Sequence, residues 1–441
     1  MTTKEKDPRK DNSFQKCRRP LVDDSGLFQT FVLMIFCHFT VTLLCVNVLL
    51  DLAIFGVPIF SLWKLKVIPS KTFYSLTTKL INWTTPIVFG LPIVFSRSKI
   101  YCDNPIHLIE AKSGDSLLLA NHASRIDWMV GMVIGYTESI GNKLCCRGRV
   151  GFVCEAPIQF MPIVGWYRKV ICDDIFVWRS FEKDAPTIKS NINQFQMSEA
   201  KRMLVLSPEG VIVDYSEKDK EYIQDCRKFC TKLGYKPFEY ILTPRYKGTT
   251  CLLDQVKNSD SIISVCLVYV RNNKLLNCRL TSSERVIPDL YLLAQGIGSQ
   301  PVDVFVHTRR IQKSNLTENT RTVLMMDNAW KDSVLEKWES YLEKEPGCSS
   351  MTTKFEKINY NKRELLINHF AHFFLMITIS YFVGWSDHLF RSFFIFFCII
   401  TTVHTLGWVA NSSSMESVPF ETGVKAVASY FLEKKQKQSI A

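Results

Sequence analysis

Apolar residues gather near the two ends of this chain, and a mixed pattern of short runs fills the middle. Residues 1–26 begin with a polar stretch carrying Lys4, Lys6, Arg9, Lys10, Lys16, Arg18 and Arg19, where no packed structure is expected. Residues 27–50 then run almost without charge, with Gln29 and His38 as their most polar members. That length suits a helix crossing a bilayer. A cleaved leader fits poorly, because the apolar run is too long and no small-residue cleavage site follows. Asp51 interrupts the run, and residues 52–63 resume it around Pro58, as a return span or re-entrant piece. Basic residues flank both sides of 27–63, so the pair is expected as a hairpin with both flanks cytosolic. The alternative is a single buried core helix. Residues 64–87 follow, and 72–86 read either as an amphipathic helix at the headgroup level or as a helix packed on the next domain.

From 88 to about 310 the pattern changes. Short apolar runs at 91–95, 117–120, 170–172, 203–206 and 262–269 are predicted strands. Between them, 127–136, 186–201 and 218–233 are helical or loop stretches. Strands alternating with helices predict an α/β fold, a mostly parallel sheet covered by helices. Residues 311–364 are polar and charged, with Trp330, Leu335, Trp338 and Leu342 at helical spacing, and read as a solvated linking helix with one apolar stripe. Residues 365–409 form a second expected membrane hairpin, turning at Ser386-Asp387-His388 between Trp385 and Trp408. Residues 410–441 are a tail with Lys434, Lys435 and Lys437 near its end.

With 441 residues the chain can hold one domain of ordinary to large size plus these extra elements. Its formal net charge of +12 suits an anionic partner, whether nucleic acid, a phosphate-bearing ligand or a membrane surface. Nucleic acid has little support, because the basic residues flank the apolar ends and do not form an aromatic-interleaved patch. The cysteines are scattered without paired CxxC elements, which predicts reduced thiols and no metal site. The sequons at Asn82, Asn315 and Asn411 would carry glycans only in a lumen, and a cytosolic central domain predicts a bare Asn315.

The stretch carrying the most chemistry is Asn121-His122-Ala123-Ser124-Arg125-Ile126-Asp127-Trp128. It places an imidazole five positions before a carboxylate, directly after the apolar run 116–120. A strand that ends there, followed by a turn into a helix, can bring Asp127 back to the ring. The carboxylate then fixes the tautomer of His122 and stabilises the imidazolium formed when it takes a proton. A satisfied structural histidine is the commoner meaning of such a pair on its own. Three further pieces add to it. Gly165-Trp166 leads to Phe176-Val177-Trp178-Arg179, whose guanidinium could reach a phosphate. Leu206-Ser207 runs into Pro208-Glu209-Gly210, where the glycine permits close backbone approach and the glutamate can accept from hydroxyls. Leu242-Thr243-Pro244-Arg245 could bring Pro244 and Arg245 beside the same cleft.

In this order and spacing the four pieces resemble the membrane-bound glycerolipid acyltransferase family with an HxxxxD motif, and within it the branch of lysocardiolipin and lysophosphatidylinositol acyltransferases. The resemblance covers roughly residues 88–269. It implies an acyltransferase of an intracellular membrane, the endoplasmic reticulum ahead of the mitochondrion, whose catalytic domain faces the cytosol. The implied donor is acyl-CoA, used as co-substrate with no cofactor, metal or acyl-enzyme. The implied acceptor is a lysophospholipid such as lysophosphatidic acid, lysophosphatidylinositol or lysocardiolipin, drawn from the bilayer. It implies His122 as general base, Asp127 as its orienting partner, Arg179 and Arg245 on phosphate, Glu209 on acceptor hydroxyls and backbone near Gly210 on the oxyanion. The sequence departs from the family at Val211-Ile212, where a threonine and a polar residue are usual. Other readings are an inactive family member serving as a membrane lipid-binding scaffold, an enzyme using glycerol 3-phosphate, and a metal-assisted phosphate-ester hydrolase.

Overall fold

The computed structural model describes residues 48–49, 51–85, 93, 96–161, 163–213, 217–255, 261–289, 292–293, 300–344, 354–360, 374 and 378. The expected hairpin at 365–409 and the first arm of the one at 27–63 lie almost wholly outside these residues. Among the described residues no helix is long and apolar enough to cross a membrane. The described second arm is a π-helical turn, Leu52–Gly56, running into helix α1 (Val57–Lys64). Its Leu52 and Trp63 are buried. Trp63 stacks on Phe73 with ring centroids 4.1 Å apart.

Helix α2 (Ser70–Thr85) was expected either on the membrane surface or against the domain. Its Phe73, Tyr74, Thr77, Leu80, Ile81, Thr84 and Thr85 form one buried face. Two buried arginines hold that face. Arg149 donates to Thr77 Oγ1 at 2.7 Å and to the carbonyls of Ile171 and Cys172 at 2.8 and 2.9 Å. Arg202 lies over the Phe195 ring, and Phe195 packs edge-on against Tyr74. The guanidinium is a donor fork wide enough to satisfy several carbonyls at once, which makes a buried arginine tolerable.

The sheet contains β1 (Ile100–Cys102), β2 (Ser116–Ala120), β3 (Ser139–Ile140), β4 (Lys143–Leu144), β5 (Val150–Glu155), β6 (Ile175–Val177), β7 (Met203–Leu206), β8 (Ser261–Arg271), β9 (Lys274–Leu275), β10 (Asp303–Arg310) and β11 (Glu356–Asn359). Their order is β4-β3-β11-β1-β10-β8-β2-β7-β5-β6, with β9 on the end of β8. The run β8-β2-β7-β5-β6 is parallel. Beyond it β10 pairs antiparallel with β8, and β1 runs parallel to β10. The sheet is therefore mixed, where the sequence predicts a mostly parallel one. The cause lies in the long β8, which turns directly into β9 through Asn272 and Asn273, both at positive φ. A reversal of this kind needs no crossover helix, so the alternation rule does not apply beyond β8.

Helices α3 (Pro105–Ser113), α4 (Asp127–Tyr136), α5 (Phe181–Met197), α6 (Glu217–Lys232), α7 (Tyr246–Gln255) and α8 (Lys313–Lys344) surround the sheet. Burial of β2 along its whole length follows from cover on both faces. The expected strand at 170–172 is instead part of a π-helical turn, Arg168–Cys172, and the strand forms at Ile175–Val177. The expected strand at 91–95 lies outside the described residues except for Ile93, which is helical. Residues 311–364, expected as a solvated link, supply both α8 and the sheet strand β11. A stripe of α8 containing Leu324, Asp327, Asn328, Lys331, Leu335 and Trp338 is buried.

Candidate active site

Strand β2 ends at Ala120, and the next two residues leave the sheet in different ways. Asn121 continues the ladder with its side chain: its amide donates to Leu267 O at 3.0 Å and accepts from Leu267 N at 2.6 Å. Asn277 donates to the same carbonyl and accepts from Tyr269 N. The end of β2 is thus fastened to β8 by the buried amide of Asn121, and Asn277 shares its acceptor carbonyl. His122 follows, with its side chain one-third exposed at the surface of the domain.

The turn over 123–126 is built by Ser124. Its hydroxyl donates to Pro288 O and accepts from Ile126 N. Helix α4 then begins at Asp127, and the carboxylate points back along the turn. Oδ2 accepts from His122 Nδ1 at 2.9 Å and from the amides of Ala123 and Ser124 at 3.0 and 3.1 Å. Oδ1 accepts from the Tyr269 hydroxyl. The sequence pair is therefore a contact in space, and Nδ1 is the nitrogen facing Asp127. An Nδ1–H donor leaves Nε2 as the basic nitrogen, directed toward whatever approaches the exposed edge of the ring.

Glu209 lies on the other side of His122. Its Oε1 accepts the backbone N–H of His122 at 3.3 Å, and the side chain is buried. Burial pushes its carboxyl up to about 7, against the opposing pull of Lys331, His122 and Arg285. A carboxyl tuned to that value exchanges protons near neutrality.

The remaining site residues line a neighbouring cavity of about 530 Å³. Arg179, Pro208, Gly210, Pro244 and Arg245 are in its wall, together with apolar groups such as Phe181 and Leu252. His122, Asp127 and Glu209 are not in this wall. Glu209 joins the two parts, because it sits between Pro208 and Gly210 in the chain and touches the His122 backbone.

Gly210 has φ +73°, a conformation that side chains other than glycine rarely adopt. The Arg245 side chain crosses directly over it, and an added Cβ would stand 3.3 Å from Arg245 Cδ. Arg245 N–H donates to Pro208 O at 2.8 Å, and its Nε donates to the Tyr222 hydroxyl at 3.3 Å. Arg179 donates to Gly210 O at 2.6 Å and pairs with Glu155. Partial burial lowers the Arg179 pKa, and the nearby Arg245 lowers it further. Two cations held close together on one cavity wall are suited to an anion carrying more than one oxygen. The amide of Gly210 is taken by Ser207 O at 3.0 Å, so the expected oxyanion role does not fall to that group. Val211, at the departure from the family pattern, packs half-buried against the apolar cluster of Val213, Ile223 and Leu242.

Tyr269, Asn277 and Lys331 belong to this site's framework and were not singled out from the sequence. Tyr269 closes an expected strand, and its hydroxyl is the only signal it carries. Among the described residues no group of three or more His, Cys, Asp or Glu converges as metal ligands, and no disulfide forms.

Comparison with known proteins bears on this geometry. Residues 102–238 match the family model described as Acyltransferase. Over this stretch the chain is similar to the acyltransferase family. It is 24% identical to 1-acyl-sn-glycerol-3-phosphate acyltransferase 3 of Arabidopsis thaliana, over 69% of this chain and 74% of that protein. It is 25% identical to lysocardiolipin acyltransferase 1 of Mus musculus, over 49% of this chain and 52% of that protein. It is also 25% identical to lysophosphatidylinositol acyltransferase 10 of Caenorhabditis elegans, over 46% of this chain and 47% of that protein. The chain thus spans about half the length of the mouse and nematode relatives. No solved structure matches. The matched region begins in β1 and holds His122, Asp127, Arg179 and the 208–210 turn. It stops before Pro244, Arg245 and the strand that carries Tyr269.

Proposed function

We propose that this acyltransferase moves a fatty acyl group from acyl-CoA to a free glycerol hydroxyl of a lysophospholipid. The observation that carries the reading is the contact of His122 Nδ1 with Asp127 Oδ2, with the ring edge open and Glu209 beside it. His122 Nε2 takes the hydroxyl proton as the oxygen attacks the thioester carbonyl. A tetrahedral intermediate forms and collapses, the C–S bond breaks, and the proton on His122 passes to the departing thiolate. The new C–O bond completes the ester and CoA leaves as a thiol. The thiolate leaves readily, so one base serves both halves of the reaction. Positioned base help of this kind is worth roughly two to four orders of magnitude in rate.

Asp127 keeps the proton on Nδ1 and balances the imidazolium. Glu209 in its ionised form accepts from an acceptor hydroxyl. Arg179 and Arg245 take the acceptor phosphate, and the apolar wall of the cavity takes hydrocarbon. The names of the relatives agree with a glycerolipid or lysophospholipid acceptor. The apolar runs at 27–50 and 365–409 suit an enzyme held at a bilayer, for which we propose the endoplasmic reticulum with the domain on the cytosolic side, where acyl-CoA is available.

The test is transfer from acyl-CoA to a panel of lysophospholipids and glycerol 3-phosphate, read by mass spectrometry. The expected result is a diacyl product from at least one lysophospholipid, lost in His122→Ala. Transfer undiminished in that variant rejects the base assignment. Product from glycerol 3-phosphate alone moves the acceptor assignment to the smaller molecule.

A further inference from the structure

The segment that delivers Arg245 to the cavity has no regular structure. It runs from the end of α6 to the start of α7, and the backbone groups of 239–242 find no partners in a helix or sheet ladder. Buried amides need acceptors somewhere. Helix α8, from the region that reads as a linker, supplies them. The Asp332 carboxylate accepts from three successive amides, those of Glu239 at 3.1 Å, Tyr240 at 2.8 Å and Ile241 at 3.3 Å. One turn earlier on the same face, Asn328 donates to Leu242 O at 2.9 Å. Arg285 donates to Tyr240 O from the other side. Four consecutive residues are thereby fixed immediately before Thr243-Pro244-Arg245.

The chain then passes into the site with little slack. Thr243 Oγ1 donates to Cys226 O, and Arg245 N–H reaches Pro208 O. The Arg245 side chain lies across Gly210 in contact with its Cα side. A displacement at 239–242 is carried to the guanidinium because only two residues, one of them a proline, separate Leu242 from Arg245. A carboxylate that accepts three amides also resists replacement by a neutral group, since charge-assisted bonds are roughly twice as strong as neutral ones.

We propose that Asp332, seconded by Asn328, is a positioning residue for the phosphate-holding arm of the site. It sets where Pro244 and Arg245 stand relative to Gly210, and so sets affinity for the phosphate of the acceptor. It touches neither substrate nor reacting atoms. The inference rests on the acceptor reading given above.

Its test uses the full chain in detergent or nanodiscs, with Asp332→Asn and Asn328→Ala. Two measurements are made: steady-state kinetics with acyl-CoA and a lysophospholipid, and calorimetric binding of glycerol 3-phosphate without turnover. Asp332→Asn is expected to raise the acceptor KM and the glycerol 3-phosphate Kd by about tenfold, the worth of one good charge-assisted bond. The acyl-CoA KM and kcat are expected to stay within about twofold. Asp332→Glu, which keeps the charge, is expected to recover part of the loss. Asn328→Ala is expected to act in the same direction by about threefold, and decides the matter if Asp332→Asn does not fold. An unchanged acceptor KM and Kd overturns the proposal, and so does an equal loss for donor and acceptor. A wild-type protein that binds glycerol 3-phosphate but transfers nothing rejects the acyl-transfer reading, while the Kd comparison still tests the role of Asp332.

Discussion

Asp127 Oδ2 receives His122 Nδ1 at 2.9 Å while also receiving the amides of Ala123 and Ser124, so the carboxylate is fixed before the ring meets it. In the proposed reaction this suits Asp127 to orient the ring, since it has little freedom to turn away. Asp127→Asn keeps the size and can keep an acceptor oxygen facing Nδ1–H and the two amides, but it removes the negative charge that balances the imidazolium. We expect kcat to fall by about two to four orders of magnitude with the acceptor KM nearly unchanged. His122→Ala is expected to abolish transfer and leave the protein in the membrane fraction. Steady-state kinetics on purified protein checks both, and a drop confined to KM speaks against the assignment.

Tyr269 offers a milder perturbation of the same carboxylate. Its hydroxyl donates to Asp127 Oδ1 from within the core. Tyr269→Phe removes that bond and little volume. Bonds to charged groups are worth about 1.5–3 kcal/mol, so kcat is expected to fall about tenfold or more, with donor and acceptor KM held. Wild-type turnover would show that Asp127 is held well enough by the two amides alone.

Glu209 predicts a pH dependence of two kinds. Its carboxyl is raised to about 7 in the folded protein, chiefly by burial. If the ionised form orients the acceptor, transfer falls as pH drops below about 7, and Glu209→Gln lacks this limb at a lower plateau. Stability runs the opposite way. A raised carboxylate pKa means the native state holds the proton more tightly than the unfolded chain. The cost of burying the charge is fully present above 7, shrinks as pH falls, and is gone near the ordinary value of 4.5. Glu209→Gln should therefore be more stable than wild type at pH 8, by about 3 kcal/mol from the size of the shift, and equal to it near pH 4.5. Denaturant midpoints at the two pH values decide it.

Gly210 is expected to be intolerant of even a methyl group. Its φ of +73° disfavours a side chain, and the Cβ would press on Arg245. Gly210→Ala should lower stability by about 1 kcal/mol and raise the acceptor KM more than the acyl-CoA KM. Equal effects on both substrates would detach Arg245 from acceptor binding.

Arg149 tests the frame and not the chemistry. Arg149→Ala leaves the carbonyls of Ile171 and Cys172 and the hydroxyl of Thr77 without their donor beneath α2. A loss of about 3 kcal/mol is expected, seen as a lower denaturant midpoint, with kcat at permissive temperature close to wild type. An unchanged midpoint would mean that α2 is held by its apolar face alone.

The geometry of this site is legible where it depends on neighbours in sequence. The apolar run ending at Ala120, followed by His122 and then Asp127 at the head of a second apolar stretch, specifies a strand, a turn and a helix, and these place the two side chains together. The strand at 203–206 and its Pro208-Glu209-Gly210 turn were legible for the same reason. What depended on distant contacts was not. Tyr269 reaches Asp127 across 142 positions, and only strand pairing shows it. The shift from a mostly parallel to a mixed sheet turns on the return of the chain after β8, which periodicity does not encode. The strand at 170–172 was misplaced because Val170, Ile171 and Cys172 are apolar for a different purpose: Ile171 and Cys172 are buried on a π-helical turn beneath α2, and their carbonyls serve Arg149. The polar look of 313–344 concealed a buried face, because Asp327, Asn328 and Lys331 interrupt its apolar stripe with groups that are paired inside the protein.

The strand β8 lies in the middle of the sheet, hydrogen-bonded to β2 on one side and β10 on the other. Relatives can be recognised from a shorter stretch than this, since the matched family region ends at residue 238. A protein cut to that stretch would leave β2 with one bare edge, Asn121 with nothing to grip, and the Asp127 carboxylate without its phenol. The part of the chain that announces the chemistry is thus smaller than the part that must be synthesised to perform it, and expression boundaries should be drawn beyond β11.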